Sequence, residues 1–189
     1  MEIGLYFGSF NPIHTGHLII ASYARHTTSL QQVWLVVSPH NPLKSSSSLL
    51  NEYDRMHLVN KAVEGDEFIK VSDIEFRLPK PSYTVDTLTA LTEKYPQHAF
   101  SIIMGSDSFT NLTRWKNYEY LIRNYKIYVF KRHGFDIETD LGANLEIVQA
   151  PLLDISSTEV RSFIKKGIPV KYMVPDIVAL EIEKNSYYK

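Results

Sequence analysis

The sequence predicts an α/β fold: a doubly wound, mainly parallel sheet, Rossmann-like, with a helical C-terminal extension. Three observations predict it. Short apolar runs alternate with stretches of helical spacing along most of the chain, as in successive βαβ units. Polar, glycine- or proline-bearing clusters follow several of the apolar runs, and such sheets carry their ligands at the strand ends. No internal repeat and no Gly/Ser linker divides the 189 residues, which are read as one domain with a helical C-terminal part from about residue 155 to 189.

Ile3–Phe7 (IGLYF) is apolar throughout and ends at Gly8, which suits a strand buried on both faces. Residues 14–26 (HTGHLIIASYARH) return to helical spacing, with Leu18, Ile19, Ser22 and Tyr23 on adjoining turns. Val33–Ser38 (VWLVVS) is a second buried strand, stopped by Pro39. Residues 38–48 (SPHNPLKSSSS) are polar and proline-rich, hence a loop. Residues 51–65 (NEYDRMHLVNKAVEG) form a helix capped by Asn51 and closed by Gly65. Residues 68–76 (FIKVSDIEF) are read as extended. The stretch 83–95 (YTVDTLTALTEKY) is helical and halted by Pro96. A strand at 99–106 (AFSIIMGS), a helix at 118–125 (YEYLIRNY) and a strand at 126–132 (KIYVFKR) follow. The last strand is 145–151 (LEIVQAP). It precedes a capped helix at 156–167 (SSTEVRSFIKKG) and a helix opening on proline at 175–185 (PDIVALEIEKN).

Composition narrows the function. Hydrophobic residues make up 44% and charged residues 22%, the profile of an ordinary globular protein. A net charge of −1 gives no global field for nucleic acid or an anionic membrane, so neither is expected as a partner. The absence of cysteine excludes disulfides and thiolate metal sites and fits a reducing compartment. The first residues lack a signal-peptide pattern, and no apolar run approaches the roughly 20 residues of a membrane span. A cytoplasmic protein is expected. Neither GxxxxGK[ST] nor GxGxxG occurs, which excludes the P-loop and the usual dinucleotide fingerprint.

The stretch Gly8–His17 (GSFNPIHTGH) sets two histidines three residues apart between a strand and a helix. A metal pair could use that spacing, but the stretch offers no acidic residue or cysteine as a further ligand. The histidines could also cap or pack at a helix start. A phosphate cradle accounts for more of the residues. Gly8 lets the chain leave the strand sharply, and Gly16 removes a side chain where a ligand could reach backbone. The next helix points free N–H groups at the gap, while His14 and His17 add directional donors. Ser156, Ser157 and Thr158 stand at another helix start with Arg161 one turn inward, an anion site by the same logic. Ser156 and Glu159 also have the spacing of a capping box. Trp115 is either an aromatic platform or a core side chain.

GSFNPIHTGH together with ISSTEVR (residues 155–161) resembles the nucleotidyltransferase superfamily, whose end signatures are H-x-G-H and I-S-S-T-x-[IV]-R. Within it, PSYTVDTL (81–88), IIMGSDSFTNLTRWKN (102–117) and YMVPDIVALEIEKNSYY (172–188) are similar to the bacterial nicotinate mononucleotide adenylyltransferase family. The resemblance implies transfer of AMP from ATP to nicotinate mononucleotide, giving deamido-NAD and pyrophosphate in NAD biosynthesis. Mg²⁺ would be held mainly by the ATP phosphates. The chemistry would be an in-line attack by the mononucleotide phosphate on the α-phosphorus of ATP, without a covalent enzyme intermediate.

Residue by residue, the resemblance puts His14 and His17 on the ATP phosphates, His17 also stabilising charge at the α-phosphate. Ser156, Ser157 and Thr158 would receive the β- and γ-phosphates, with Arg161 on the same oxygens. Gly8, Ser9, Phe10, Gly16, Gly105, Asp107 and Ile155 are carried over to the ATP site, Gly105 and Asp107 toward ribose or adenine. Ser9, Phe10 and Asp107 also fall on the mononucleotide side. Thr84 would hydrogen-bond the nicotinate carboxylate, and Trp115 would stack on the pyridine. Lys44 matches the basic residue of the family's P-P-H-K loop for both substrates. That loop is loosened here to SPHNPLK, so His40 competes for the phosphate. Asn111 stands where several members carry an aromatic residue. The rival readings are a sibling transferase acting on nicotinamide mononucleotide, phosphopantetheine or FMN, and a non-catalytic nucleotide-binding regulator. Assembly as a homo-oligomer is left open.

Overall fold

A computed structural model describes residues 1–39, 48–137 and 139–189. Its six strands are β1 (Glu2–Gly8), β2 (Gln32–Val37), β3 (Ile69–Ser72), β4 (Ala99–Gly105), β5 (Ile127–Phe130) and β6 (Leu145–Val148). They form one sheet in the order β3-β2-β1-β4-β5-β6, and every pairing is parallel. The helices are α1 (Thr15–Thr27), α2 (Glu52–Ala62), α3 (Thr84–Lys94), α4 (Ser106–Phe109), α5 (Tyr118–Asn124), α6 (Ser157–Lys165) and α7 (Asp176–Lys184). No helix among the described residues is long and apolar enough to cross a membrane.

Two apolar layers explain the uninterrupted hydrophobic strands. Val33, Leu35 and Val37 of β2, with Tyr128 and Phe130 of β5, meet residues of α1, α2, α6 and α7 on one face. Leu5, Ile102, Met104 and Val129 meet α3, α4 and α5 on the other. A strand buried on both sides cannot alternate apolar with polar side chains. The winding direction reverses between β1 and β4, which leaves a crevice beyond their carboxyl ends.

The structure refines two sequence expectations and fills a stretch the sequence left unassigned. The buried residues of α1 are Gly16, Ile20, Ala21 and Ala24, while Tyr23 is exposed. Small side chains let the helix lie close to the sheet, which rotates the buried face from the one expected. Residues 68–76 are extended only as far as Ser72, and Ile74–Arg77 turn into a 3₁₀ helix. That turn buries Ile74 and brings the Glu75 carboxylate to the Ser82 and Thr87 hydroxyls, at 2.7 and 2.9 Å. After β4, the chain makes α4 and a 3₁₀ turn at Leu112–Arg114, which bury Phe109 and Leu112.

Candidate active site

At the switch between β1 and β4 opens a cavity of about 630 Å³. The turn after β1 brings Gly8, Ser9, Phe10, His14 and His17 to its wall. From β4 and the segment beyond it come Gly105, Asp107 and Trp115, and from the start of α3 comes Thr84. The α6 start supplies Ser156, Ser157 and Thr158, with Arg161 one turn inward. Residues from both ends of the chain, Tyr6 to Arg161, thus share one cavity. Gly16 and Ile155 do not line it. Gly16 lies behind His14, where a Cβ would stand 3.1 Å from the imidazole, and the Ile155 Cβ is 3.8 Å from the same point. Gly16 therefore makes room for a ring. His40 and Lys44 lie outside the described residues.

The histidine turn is tightly built. Phe10 adopts the left-handed backbone, with φ of 44°, and its ring is buried. A Cβ on Gly8 would approach that ring to 2.8 Å, so glycine is required where the strand gives way to the turn. The Phe10 ring meets His17 edge-on at 5.0 Å, and His17 stacks on His14 at 3.7 Å. His14 is the residue before the first turn of α1, and its backbone N–H donates to His17 Nδ1 at 3.3 Å. With Nδ1 accepting, the proton of a neutral His17 ring sits on Nε2, which becomes a donor. Capping and ligand binding are therefore compatible uses of the same residue. His14 is buried. Burial first, and the Arg132 guanidinium second, push its pKa down to about 4. Near neutral pH, His14 is an uncharged ring.

The α6 start is stitched to this turn. Ser156 Oγ accepts from the Glu159 N–H at 3.1 Å, the capping bond its sequence spacing announced. Ser157 Oγ donates to the Pro12 carbonyl at 2.9 Å. Arg161 Nη1 donates to the Asn11 carbonyl at 2.8 Å, and its Nη2 to Thr158 Oγ1 at 3.3 Å. The guanidinium thus holds the turn while still facing the cavity.

Across the cavity, Thr84 is the first residue of α3 and half-buried. Trp115 is also half-buried, packing on the second apolar layer while lining the cavity, so it combines the platform and core readings. Beside it Lys116 pairs with Asp86 at 2.8 Å, and its ammonium lies 4.8 Å from the centre of the Tyr83 ring. Glu75, below, is buried, and burial raises its pKa against the pull of hydrogen bonds from Ser82, Thr87 and Ser38.

Sequence reading missed Arg132, Lys116 and Glu75. Arg132 lines the cavity after β5, with Nε 3.4 Å from Asp107 Oδ1, and its backbone N–H bonds Ser106 Oγ at 2.9 Å. Its signal was present: it stands at a strand's carboxyl end, but was absorbed into the run KIYVFKR. Among the described residues no cluster of three His, Cys, Asp or Glu could hold a metal ion. Among the described residues the carboxylates on the cavity wall are Glu75, engaged by hydroxyls, and Asp107, facing Arg132. That donor set fits a divalent cation carried by a polyphosphate ligand rather than one caged by protein.

Comparison with known proteins agrees with this architecture. A family model described as cytidylyltransferase-like matches residues 5–163. A Flavobacterium psychrophilum protein named "Probable nicotinate-nucleotide adenylyltransferase" is 47% identical over 192 aligned positions, covering 100% of both chains. A Bacteroides fragilis protein of the same name is 40% identical over 92% of this chain and 87% of its own. Among solved structures, Plasmodium falciparum nicotinic acid mononucleotide adenylyltransferase complexed with NaAD superposes with a TM-score of 0.83. It covers 99% of this chain and 97% of that one at 22% identity, a likeness of fold.

Proposed function

We infer that this chain, which belongs to the cytidylyltransferase-like family and within it to the nicotinate-nucleotide adenylyltransferases, transfers the adenylyl group of ATP to nicotinate mononucleotide, yielding deamido-NAD and pyrophosphate. The observation that carries the reading is the convergence, in one cavity at the strand switch, of the histidine turn, the α6 start and the Thr84–Trp115 wall.

The two substrates are anions, and the protein as a whole carries a net charge of −1, so local groups must gather them. His17 Nε2–H, Arg161 and the capped start of α6 would meet the ATP phosphates, with Arg132 adding a cation on the same wall. The mononucleotide phosphate is a competent nucleophile at neutral pH and needs no general base. It would attack the α-phosphorus in line, and the bond to the pyrophosphate oxygen would break. Catalysis then comes from alignment and from donors aimed at the α-phosphoryl oxygens. His14 would serve as a neutral backing for His17 rather than as a charge. Mg²⁺, held mainly by phosphate oxygens and water, would lower the negative charge the side chains have to meet.

At the other end, the pyridine would stack on Trp115, with its carboxylate near Thr84 and the free N–H groups that open α3. Lys116 and Arg114 line the same end, and two cations there favour the acid over the amide. The test is to incubate the protein with ATP, Mg²⁺ and, separately, nicotinate mononucleotide, nicotinamide mononucleotide and phosphopantetheine, and to measure pyrophosphate. Release fastest with nicotinate mononucleotide is the expected result. Release only with another acceptor, or with none, overturns the reading.

A further inference from the structure

Arg55 heads the fully buried side chains by volume, yet it lines no part of the cavity. A buried guanidinium is costly unless its donors are satisfied. Nε of Arg55 donates to the Leu50 carbonyl at 2.8 Å. Nη1 donates to the carbonyls of Ser9 and Ser38, at 2.5 and 2.8 Å, and Nη2 to that of Pro39 at 2.9 Å. Among the described residues its hydrogen bonds all go to backbone carbonyls, none to a carboxylate. Those carbonyls belong to the histidine turn, the end of β2 and the lead-in to α2.

Arg161 grips the same turn from the other side, through Asn11. Between the two anchored carbonyls sits Phe10, in a backbone conformation that an L side chain resists. Strained residues of this kind persist only where the surroundings over-determine them. Phe10 in turn presses its ring on His17. Tyr188 is within electrostatic reach of both arginines, and among the described residues its buried hydroxyl has no hydrogen-bond partner.

We propose that Arg55 is a positioning residue for adenylyl transfer: by clamping the Ser9 carbonyl it holds Phe10 in its strained conformation and thereby fixes the His17 ring against the reacting phosphates. The claim rests on the transferase reading above. It differs from a plain stabilising role in what it predicts for His17.

The test compares wild type with Arg55→Lys, which keeps the charge but cannot fork between four carbonyls. Rates are taken well below each protein's thermal midpoint and expressed per folded molecule. Arg55→Lys is expected to lower kcat about 10- to 100-fold, with both KM values within about threefold, the mark of lost alignment. Nitrogen-15 NMR of the His17 imidazole, without substrate, is expected to show the Nε2–H tautomer in wild type and a mixture in the variant. An unchanged kcat, or an unchanged tautomer, reduces Arg55 to a stability residue and overturns the proposal. Should Arg55→Lys fail to fold, Tyr188→Ala decides, since it removes the whole side chain within electrostatic reach of the guanidinium while Tyr188→Phe removes only its hydroxyl. Tyr188→Ala must then shift the same tautomer and lower kcat about fivefold or more, with Tyr188→Phe unchanged; otherwise the proposal falls. A wild type inactive toward nicotinate mononucleotide would sink the transferase reading, while the tautomer comparison would still judge the clamp.

Discussion

On one side of the cavity the histidine turn is gripped from below by Arg55 and from the flank by Arg161 and Ser157, all through backbone carbonyls. On the other, the wall around Trp115 is tied across to α3 by the Lys116–Asp86 pair, whose side chains are 44% and 43% exposed. The first side is dry: His14, Phe10 and Arg55 are buried. The second is half-wet. The difference matches the division of labour in the proposed reaction. Charge changes at the phosphate end, where donors must be fixed before the reaction begins. The pyridine ring changes nothing during the transfer, so its wall has only to bind and discriminate, which tolerates looser construction.

The largest expected effect lies on the dry side. His17→Ala should lower kcat about 10²–10³-fold, the usual loss of one transition-state donor, with little change in either KM. A steady-state comparison checks it, and a kcat within threefold of wild type would put the fixed donor elsewhere. His14 sharpens the same point through pH. Its folded pKa of about 4 lies below the ordinary 6.5, so the folded protein binds fewer protons than the unfolded chain between those values. Its contribution to stability is complete above about pH 6.5 and is lost as pH falls through about 4, an effect of about 3 kcal/mol across that window. Urea unfolding at pH 7 and pH 4.5 should show that loss in wild type and a flatter dependence in His14→Gln. Equal slopes would mean that water already reaches the turn.

On the half-wet side the expected effect is smaller and of another kind. Trp115→Ala should raise KM for nicotinate mononucleotide about 10-fold or more, the scale of one lost stacking surface, while kcat and the ATP constant move little. If kcat fell as far as in His17→Ala, the two walls would not divide binding from chemistry.

The parts of this design that the sequence displays are those whose chemistry is local. A strand buried on both faces has to be apolar along its length, so the central strands were legible in runs such as VWLVVS and IIMG, whereas the edge strands IKVS and LEIV, partly exposed, carry a lysine and a glutamate. Ser156 caps the helix it precedes, and the cap needs only residues three apart. Arg55 was not legible, because a charged residue in NEYDRMHLVNKA reads as surface until the folded chain brings four carbonyls around it. The turn at Ile74–Arg77 was hidden for the same reason, since the bonds from Ser82 and Thr87 to Glu75 come from the following segment. Arg161 shows both cases. Its place beside a helix start pointed to phosphate, but its bond to Asn11, 150 residues away, appears only in the fold.

The smallest effect is the most discriminating for the comparison itself. Lys116 reaches over the Tyr83 ring to Asp86, and both partners are nearly half exposed. Exposed pairs of this kind contribute about 0–1 kcal/mol and weaken with salt. Asp86→Asn should therefore shift the unfolding free energy by less than about 1 kcal/mol. It should change KM for nicotinate mononucleotide only about twofold, with the change fading at high ionic strength as screening replaces the lost partner. Freed from Asp86, Lys116 keeps its charge near the carboxylate, so the direction should be a lower KM. A tenfold change that survives high salt would show this wall to be built as rigidly as the histidine turn, and the contrast between the two sides would fail.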